Sequence, residues 1–301
     1  QVISLIRQFF NTLEYIEVET PILQNIASGA AANPFKTHHN ALHMDLFLRI
    51  APELFLKRLI IGGYNKVFEI GKCFRNEGID TTHLQEFTML EMYETYINFE
   101  DLKSLGISLL LFIINAVKPG SITKIPQYSY KEFLLEFGGI NIDILENYND
   151  LVVESKKYNI NIEDYPTYNI LLDQLYKKAC VSKVINPVLV YDYFASPLAI
   201  KKDIAHNIGY QFQIIMNGCE IIKSYLEQND PIIQEDEFMK QMIEISNGNT
   251  EGVRNDEDYI EALKHGMPPT GGLGLGVDRL VQILTNSSSI RDIIYFPNVK
   301  I

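Results

Sequence analysis

The chain has 301 residues, of which 47% are hydrophobic and 21% charged, and its formal net charge is -12. These values predict one large globular domain or two small ones and exclude a disordered chain. The acidic balance argues against nucleic-acid binding through bulk charge, since phosphate neutralisation needs a basic surface, but it leaves a local basic patch open. Three widely spaced cysteines predict neither a disulfide framework nor a zinc site and fit a reducing, cytoplasmic compartment. No apolar run approaches the ~18 residues of a membrane span.

A helix and a strand are predicted at the N-terminus. Apolar residues recur at helical spacing over residues 1–14, and the E-Y-I-E-V-E-T-P that follows alternates like a strand as far as Pro21. The first residues lack a starting Met and read as the interior of a helix. We therefore expect a further segment upstream.

A second strand, a helix and a pair of strands are predicted next. L-F-L-R-I-A at 46–51 reads as a strand, Pro52 opens a helix, and the glycines at 62–63 end it. V-F-E-I-G-K-C-F-R and E-F-T-M-L-E-M-Y-E-T-Y then read as partner strands.

The remaining chain mixes helices and strands. Residues 105–185 are expected to form a mostly helical insertion, in which we find no catalytic pattern. Strands are predicted at 187–193 and at 210–220, the latter running on into E-I-I-K-S-Y-L-E-Q, and a glycine-rich turn at 271–276 leads into a helix. Further helices are predicted at 235–247 and 256–265. Sequential strands separated by helices and long loops predict an α+β fold with a mostly antiparallel sheet flanked by helices.

Charged and aromatic residues alternate unusually between residues 75 and 93. Strand alternation puts Phe87, Met89, Glu91 and Tyr93 on one face, with Glu91 and Tyr93 about 7 Å apart along it. A carboxylate and a phenol suit a substrate cation, the fork of Arg75 suits a phosphate or carboxylate, and a Phe ring suits a stacked base. A plain surface hairpin with weak ion pairs explains the same spacing equally well.

The stretch G-G-L-G-L-G-V-D-R at 271–279 admits two interpretations. It differs from the dinucleotide fingerprint because its third glycine follows the second by two residues rather than three. Close approach of the backbone to a nucleotide, with Arg279 facing phosphates or base, is one interpretation. Close packing beside an exposed arginine is the other.

Taken in order, these stretches resemble the catalytic core of class II aminoacyl-tRNA synthetases, and specifically the lysyl enzymes. The first family motif is similar to residues 1–21, the second to F-R-N-E-G-I-D-T-T-H-L-Q-E-F-T-M-L-E-M-Y, and the third to P-P-T-G-G-L-G-L-G-V-D-R. The lysyl-type spellings A-S-G-A-A-A-N-P-F, L-R-I-A-P-E-L, S-P-L-A and S-I-R-D-I-I-Y-F-P also occur, in family order. The resemblance implies one class II catalytic domain over 1–301 and is weakest at 105–185.

The resemblance implies a lysine–tRNA ligase that uses ATP and Mg²⁺. The carboxylate of lysine would attack the α-phosphorus of ATP to give lysyl-adenylate, and the acceptor end of tRNA(Lys) would take the lysyl group. Such chemistry needs positioning and electrostatic stabilisation rather than a protein nucleophile. The first motif also implies a homodimer, and no membrane partner is expected.

The resemblance also implies two sets of site residues. The ATP site would comprise Arg75, Glu77, His83, Phe87, Glu220, Gly274, Gly276 and Arg279. The lysine site would comprise Gly29, Glu53, Arg75, Glu91, Tyr93, Lys223, Tyr225 and Glu227. Arg75 and Arg279 would be the catalytic residues. Magnesium would be held by Glu220, with Gln213 as the weaker ligand.

Roles within the ATP site follow from the same resemblance. Arg75 would clamp the α-phosphate and the lysine carboxylate, Glu77 would meet the adenine amino group, and His83 would lie near the distal phosphates. Phe87 and Arg279 would sandwich the adenine ring.

Within the lysine site, Gly29 and Glu53 would hold the α-amino group. The ε-ammonium would be surrounded by Glu91, Tyr93 and Glu227, with Tyr225 lining the pocket.

Three features depart from the family. Gln213 stands where the lysyl enzymes usually have a glutamate that helps to hold magnesium, and Lys223 stands where they have an asparagine that touches the substrate carboxylate. The family's N-terminal anticodon-binding OB-fold domain is also not in the sequence. Three alternatives stay open for these reasons: a tRNA-independent lysine-type ligase similar to the elongation factor P lysine ligase, an enzyme for another amino acid, and a non-catalytic synthetase paralogue.

Overall fold

The computed structural model describes residues 1–27, 29–30, 32–78, 80–145, 147–165, 167–246 and 255–297. The α-helices of these ranges are α1 (Val2–Thr12), α2 (Glu53–Ile61), α3 (Phe99–Val117), α4 (Tyr130–Phe133), α5 (Tyr148–Lys156), α6 (Tyr168–Ala179), α7 (Pro231–Ser246), α8 (Glu257–Lys264) and α9 (Val277–Leu284). The strands are β1 (Ile16–Glu17), β2 (Leu23–Gln24), β3 (Lys36–His39), β4 (Met44–Leu48), β5 (Lys66–Phe74), β6 (Glu86–Thr95), β7 (Gln127–Ser129), β8 (Val188–Tyr191), β9 (Lys201–Asp203), β10 (Ile208–Gly209), β11 (Gln211–Met216), β12 (Cys219–Leu226) and β13 (Thr270–Gly276).

Eight strands form the main sheet, in the order β1-β5-β6-β13-β12-β11-β8-β7. The five central pairings are antiparallel, whereas β1 pairs with β5 and β7 with β8 in parallel. Smaller sheets are formed by β2-β4-β3 and by β10-β9. The predicted α+β class with a mostly antiparallel sheet is confirmed.

Alternation along the central strands separates two faces of this sheet. On β6, Leu90 and Met92 point into the main hydrophobic cluster, whereas Glu91 and Tyr93 point to the other side. Helices α1 and α3 cover the apolar face, where the ring of Phe10 stacks on Phe68 with centroids 5.1 Å apart. The opposite face is therefore free to carry polar groups.

The predicted insertion 105–185 contributes to two hydrophobic clusters. Its beginning belongs to α3, whose Leu109, Leu110 and Ile113 pack in the main cluster. From Tyr130 to Val184 the chain, with α4, α5 and α6, builds most of a second cluster, which residues of β8 and β11 complete. The limits of the insertion as a unit stay a prediction.

The prediction that one strand runs without interruption from 210 to 228 is wrong. Residues Asn217 and Gly218 make a tight turn between β11 and β12, with φ angles of 50° and 72°. Asn-Gly is favoured there because both central residues of a type I′ hairpin turn need positive φ. The glycine-rich stretch at 271–276 is likewise not a turn, because it forms the central strand β13.

Two further sequence expectations can be compared with the structure. Among the described residues, none of the helices has the length and apolar character needed to cross a bilayer. All three cysteines are free, with Cys73 and Cys180 buried, so no disulfide forms within the chain.

Candidate active site

Every site residue named from the sequence lies on the wall of one cavity of about 530 Å³. The floor of this cavity is the polar face of β6, β13, β12 and β11, and its rim is formed by α2 and α9 and the loops after β2 and β5. The residues brought together are Gly29, Glu53, Arg75, Glu77, His83, Phe87, Glu91, Tyr93, Gln213, Glu220, Lys223, Tyr225, Glu227, Gly274, Gly276 and Arg279.

Cross-strand pairing arranges the floor in rows. Glu91 pairs with Gly274, Gly274 with Lys223, and Lys223 with Gln213, so these residues share one face. The glycines of β13 leave the middle of each row open. A Cβ at Gly272 would lie 2.0 Å from Glu227 Oε1, so a side chain there would fill the space between β6 and β12.

One end of the cavity is lined by buried carboxylates and phenols. Glu53 begins α2 and accepts a hydrogen bond of 2.8 Å from the Tyr225 hydroxyl. Glu227, just beyond β12, is 1% exposed and pairs with the buried ammonium of Lys57. Lys57 also donates to Glu53 at 2.6 Å. This end therefore concentrates negative charge in a dry environment.

Glu91 is the carboxylate with the fewest partners at this end. It is 2% exposed and accepts a hydrogen bond of 3.0 Å from the Tyr93 hydroxyl, and it has no ion-pair partner among the described residues. Burial, with the charge of Glu53 as the second cause, raises the pKa of Glu91 to about 8. A substrate ammonium would supply the missing partner.

Cationic and aromatic side chains occupy the other end. The Arg75 guanidinium lies 5.0 Å from the centre of the Phe87 ring, and its Nε is buried without a hydrogen-bond partner in the described part of the chain. Arg279, in the first turn of α9, contacts His83 Nε2 through Nη2 at 2.9 Å and donates from Nη1 to the backbone oxygen of Glu220 at 3.3 Å. An anionic ligand would satisfy the free donor of Arg75.

Gln213 and Lys223 differ in whether their side chains already have a partner. The Tyr176 hydroxyl donates to Gln213 Oε1 at 3.2 Å, so this oxygen is already engaged. Lys223 is exposed on the floor, and its ammonium has neither a hydrogen bond nor an ion pair within the ranges that the structure describes. Its ammonium is thus available to an anion in the cavity.

Several cavity residues were missed from the sequence. The expectation that residues 105–185 carry no chemistry did not foresee that Tyr130, Asn169, Asp173 and Tyr176 reach the cavity wall. No local pattern marks these residues, because tertiary packing alone brings them to β11. Lys57, behind the cavity wall, was also missed, although it stands four residues after Glu53 in α2 and such pairs face each other.

Comparison with known proteins gives a consistent result. The family model for class II tRNA synthetases (D, K and N) matches residues 1–300. The chain is 41% identical to a lysine–tRNA ligase of Pelotomaculum thermopropionicum and 40% identical to one of Campylobacter jejuni, with 100% of this chain and 62% of each relative covered. It is 42% identical to a lysine–tRNA ligase of Clostridium acetobutylicum, with 99% of this chain and 61% of the relative covered. The chain thus spans less than two thirds of the length of these relatives.

Proposed function

The chain belongs to the class II tRNA synthetase family of the D, K and N enzymes, and we propose that it is the catalytic core of a lysine–tRNA ligase. The observation that carries this proposal is that the two ends of the cavity have opposite charge. Buried carboxylates line one end, arginines and an aromatic ring line the other, and both ends stand on the same sheet floor. This division suits a cationic amino acid next to a nucleotide.

The reaction begins with the substrate carboxylate. One of its oxygens forms a bond to the α-phosphorus of ATP, the bond from that phosphorus to the bridging oxygen breaks, and pyrophosphate leaves with the electron pair. Both reactants are anions, so the cations Arg75, Lys223 and Arg279 lower the repulsion as they meet. A ribose hydroxyl at the acceptor end of tRNA(Lys) then attacks the carbonyl carbon of lysyl-adenylate, and AMP leaves.

Lysine is held by groups at both ends of its chain. Glu91, Glu227 and the Tyr93 hydroxyl receive the ε-ammonium, with Tyr225 as the neighbouring wall. Glu53 and the backbone at Gly29 receive the α-ammonium. Buried carboxylates that lack a cation reject uncharged side chains strongly, because such ligands leave them unpaired.

ATP is held mainly by the side chains at the cationic and aromatic end of the cavity. Arg75 has the unpaired buried donor that a phosphate oxygen satisfies. Phe87 and Arg279 hold the adenine ring, Glu77 accepts from its amino group, and His83 lies toward the distal phosphates. Gly274 and Gly276 keep the floor low beneath the nucleotide.

Magnesium fits this cavity only if the phosphates of ATP supply part of its ligands. Within the described residues, no group of three or more His, Cys, Asp or Glu side chains is arranged to hold a metal ion. Glu220 fits as a carboxylate ligand, whereas the oxygen of Gln213 is engaged by Tyr176. Mg²⁺ commonly binds through one or two carboxylates and substrate phosphates, where it would neutralise phosphate charge.

A homodimer forms part of the proposal. The region of α1, β1 and β2 leaves several large apolar side chains in solvent, which a second copy of the chain would cover. These are Ile3, Leu13, Ile16, Ile22 and Leu23, with exposures of 37–51%.

The proposal is tested by ATP–pyrophosphate exchange in the presence of Mg²⁺. We expect exchange with lysine and none with arginine or asparagine. Exchange with another amino acid in preference to lysine would refute the lysine assignment.

A non-catalytic paralogue is the second candidate, and the engaged oxygen of Gln213 is the observation that favours it. Binding of ATP without exchange for any amino acid would select this candidate. Exchange with lysine, without transfer to tRNA(Lys), would instead favour a ligase that acts on another acceptor.

A further inference from the structure

Behind the wall of the cavity lies an ammonium group that the proposed reaction does not use. Lys57 is fully buried in α2, and its Nζ lies 2.6 Å from Glu53 Oε1 and also pairs with Glu227 Oε2. The rings of Tyr93 and Tyr225 flank it, with their centres 5.9 and 5.7 Å from Nζ. A single cation thus serves two carboxylates that come from separate elements.

A second buried cation compensates a neighbouring carboxylate. Arg49 Nη1 lies 2.5 Å from Glu69 Oε1, and the Thr20 hydroxyl donates to Glu69 Oε2 at 2.7 Å. Glu69 on β5 pairs across the strands with Glu91 on β6. Arg49 therefore neutralises the neighbour of Glu91 but leaves Glu91 itself without a cation.

The charges at this end of the floor do not balance. Four buried carboxylates, those of Glu53, Glu69, Glu91 and Glu227, face the two buried cations Arg49 and Lys57. If all four were ionised, two of them would lack a cation, and such unpaired buried charges are costly. Glu91 accordingly carries a proton until a cationic ligand supplies its partner.

Lys57 keeps its proton in this environment. Burial acts to lower its pKa, but the charges of Glu227 and Glu53 outweigh burial and raise the pKa above the ordinary value. Tyr259 of α8 is a further titratable neighbour. The ammonium is thus a fixed component of the wall across the neutral pH range.

We infer that Lys57 is a specificity-determining positioning residue, which holds Glu53 and Glu227 together and leaves the four buried carboxylates two cations short of full pairing, so that the buried end selects ligands with two ammonium groups. The chemical class is the α,ω-diamines, of which lysine is the member that also carries a reactive carboxylate. This inference rests on the proposed function and adds that the carboxylate is not what the buried end recognises. A monoamine of the same length leaves one buried carboxylate without a partner.

The first experiment compares ligands on the wild-type protein by calorimetry without ATP. Cadaverine is lysine without its carboxylate, and norleucine is lysine without its ε-amino group. We expect cadaverine to bind at least about tenfold more tightly than norleucine. Equal or tighter binding of norleucine overturns the inference. A protein that binds cadaverine but exchanges no pyrophosphate with lysine would refute the proposed function and leave the inference standing.

The second experiment compares Lys57→Met with Lys103→Met in pyrophosphate exchange. Lys103 is a suitable control because it is also buried, on α3, and pairs with Glu100 at 2.8 Å away from the cavity wall. We expect Lys57→Met to raise the KM for lysine at least about tenfold, with the KM for ATP and kcat changed less than about threefold. Lys103→Met should leave the ratio of the two KM values unchanged.

A pH series separates positioning from mere support of the fold. Lys57 counteracts the effect of burial, which raises the pKa of Glu227, so its removal favours the protonated form of that carboxyl group. The KM of Lys57→Met for lysine should therefore fall more steeply with rising pH than that of the wild type. Equal changes in both KM values, with no altered pH dependence, overturn the inference. If Lys57→Met does not fold, the ligand comparison on the wild type decides.

Discussion

Glu91 is the residue whose protonation should change most directly when a cationic substrate binds. Its pKa is raised to about 8, chiefly by burial, so the carboxyl group of the ligand-free protein carries a proton at neutral pH. An ammonium binds the ionised form and displaces that proton. The affinity for lysine should therefore rise with pH through the folded pKa of Glu91.

This dependence can be measured by calorimetry between about pH 6 and pH 7.5, below the ranges in which the α- and ε-ammonium groups of lysine titrate. We expect lysine binding to release a proton at pH 7 and to strengthen as the pH rises. Glu91→Gln should bind lysine weakly at every pH and release no proton. Proton release that persists in Glu91→Gln would assign the titration to another group.

Lys223 is the free cation of the floor, and its substitution should affect chemistry more than nucleotide binding. Its ammonium has no partner within the described residues and lies in the row that leads from Gln213 toward Glu91. We expect Lys223→Met to lower kcat/KM for lysine activation by about 100-fold, because a donor to the reacting anions is lost. Lys264→Met, which removes a lysine from a surface ion pair with Glu261, should change kcat/KM by less than about twofold. A similar loss in both variants would contradict the role of Lys223.

Site residues were predictable from the sequence where they belong to a motif. Arg75, Phe87, Glu91 and Arg279 were found through spacing and resemblance, and all four lie on the cavity wall. Lys57 was not found, because a buried ion pair looks the same in sequence as an exposed one at the same spacing. Only the packing of α2 against β6 and β12 decides which of the two it is.

At the scale of elements, the β11–β12 hairpin fixes the relation between Gln213 and Lys223. The turn at Asn217 and Gly218 starts the register of the hairpin, and a shift of one residue between Ile214 and Ile215 then brings Gln213 opposite Lys223. A Cβ at Gly218 meets no atom closer than 3.8 Å, so the conformation rather than the space requires glycine.

Substitutions in this turn should separate backbone strain from steric clash. Gly218→Ala is expected to lower the free energy of unfolding by about 1 kcal/mol, because alanine disfavours a φ of 72°. Asn217→Gly is the matched control and should change it by less than about 0.5 kcal/mol. Urea denaturation measures the free energy of unfolding of both variants. A Gly218→Ala protein as stable as the wild type would mean that the turn has relaxed to another type.

Elements were predictable where hydrophobic periodicity was clear. The alternation of β6 and the apolar spacing of α1 gave both elements within two residues of their observed ends. The glycine-rich β13 was misread as a turn because glycine has no side chain whose periodicity could mark a strand. In the folded chain, the strands on both sides of β13 supply hydrogen bonds that override its low β-propensity.

At the scale of the whole molecule, the proposed dimer makes a prediction about the surface of β1. Ile16 is 51% exposed there, next to the other apolar residues of this region. We expect the wild type to be a dimer in light scattering at micromolar concentration and Ile16→Glu to shift it toward monomer. Ile204→Glu is the control, because Ile204 is 82% exposed in the turn between β9 and β10. A wild-type monomer would contradict the proposed assembly.

The architecture as a whole was predictable because three ordered motifs and several lysyl-type spellings are distributed, in family order, from one end of the chain almost to the other. The path of the region from Tyr130 to Val184 was not, because its tyrosine-rich sequence has no simple period and its cluster is held by long-range contacts. This is also the region that brings Tyr176 onto Gln213.

The central claim is that this cavity forms lysyl-adenylate. The most direct measurement incubates the protein with α-phosphate-labelled ATP, lysine, Mg²⁺ and pyrophosphatase and separates the labelled products. The account predicts a labelled lysyl-adenylate that requires lysine and that forms about 100-fold more slowly in Lys223→Met. Binding of labelled ATP with no adenylate from lysine would contradict the account and leave the chain as a nucleotide-binding paralogue.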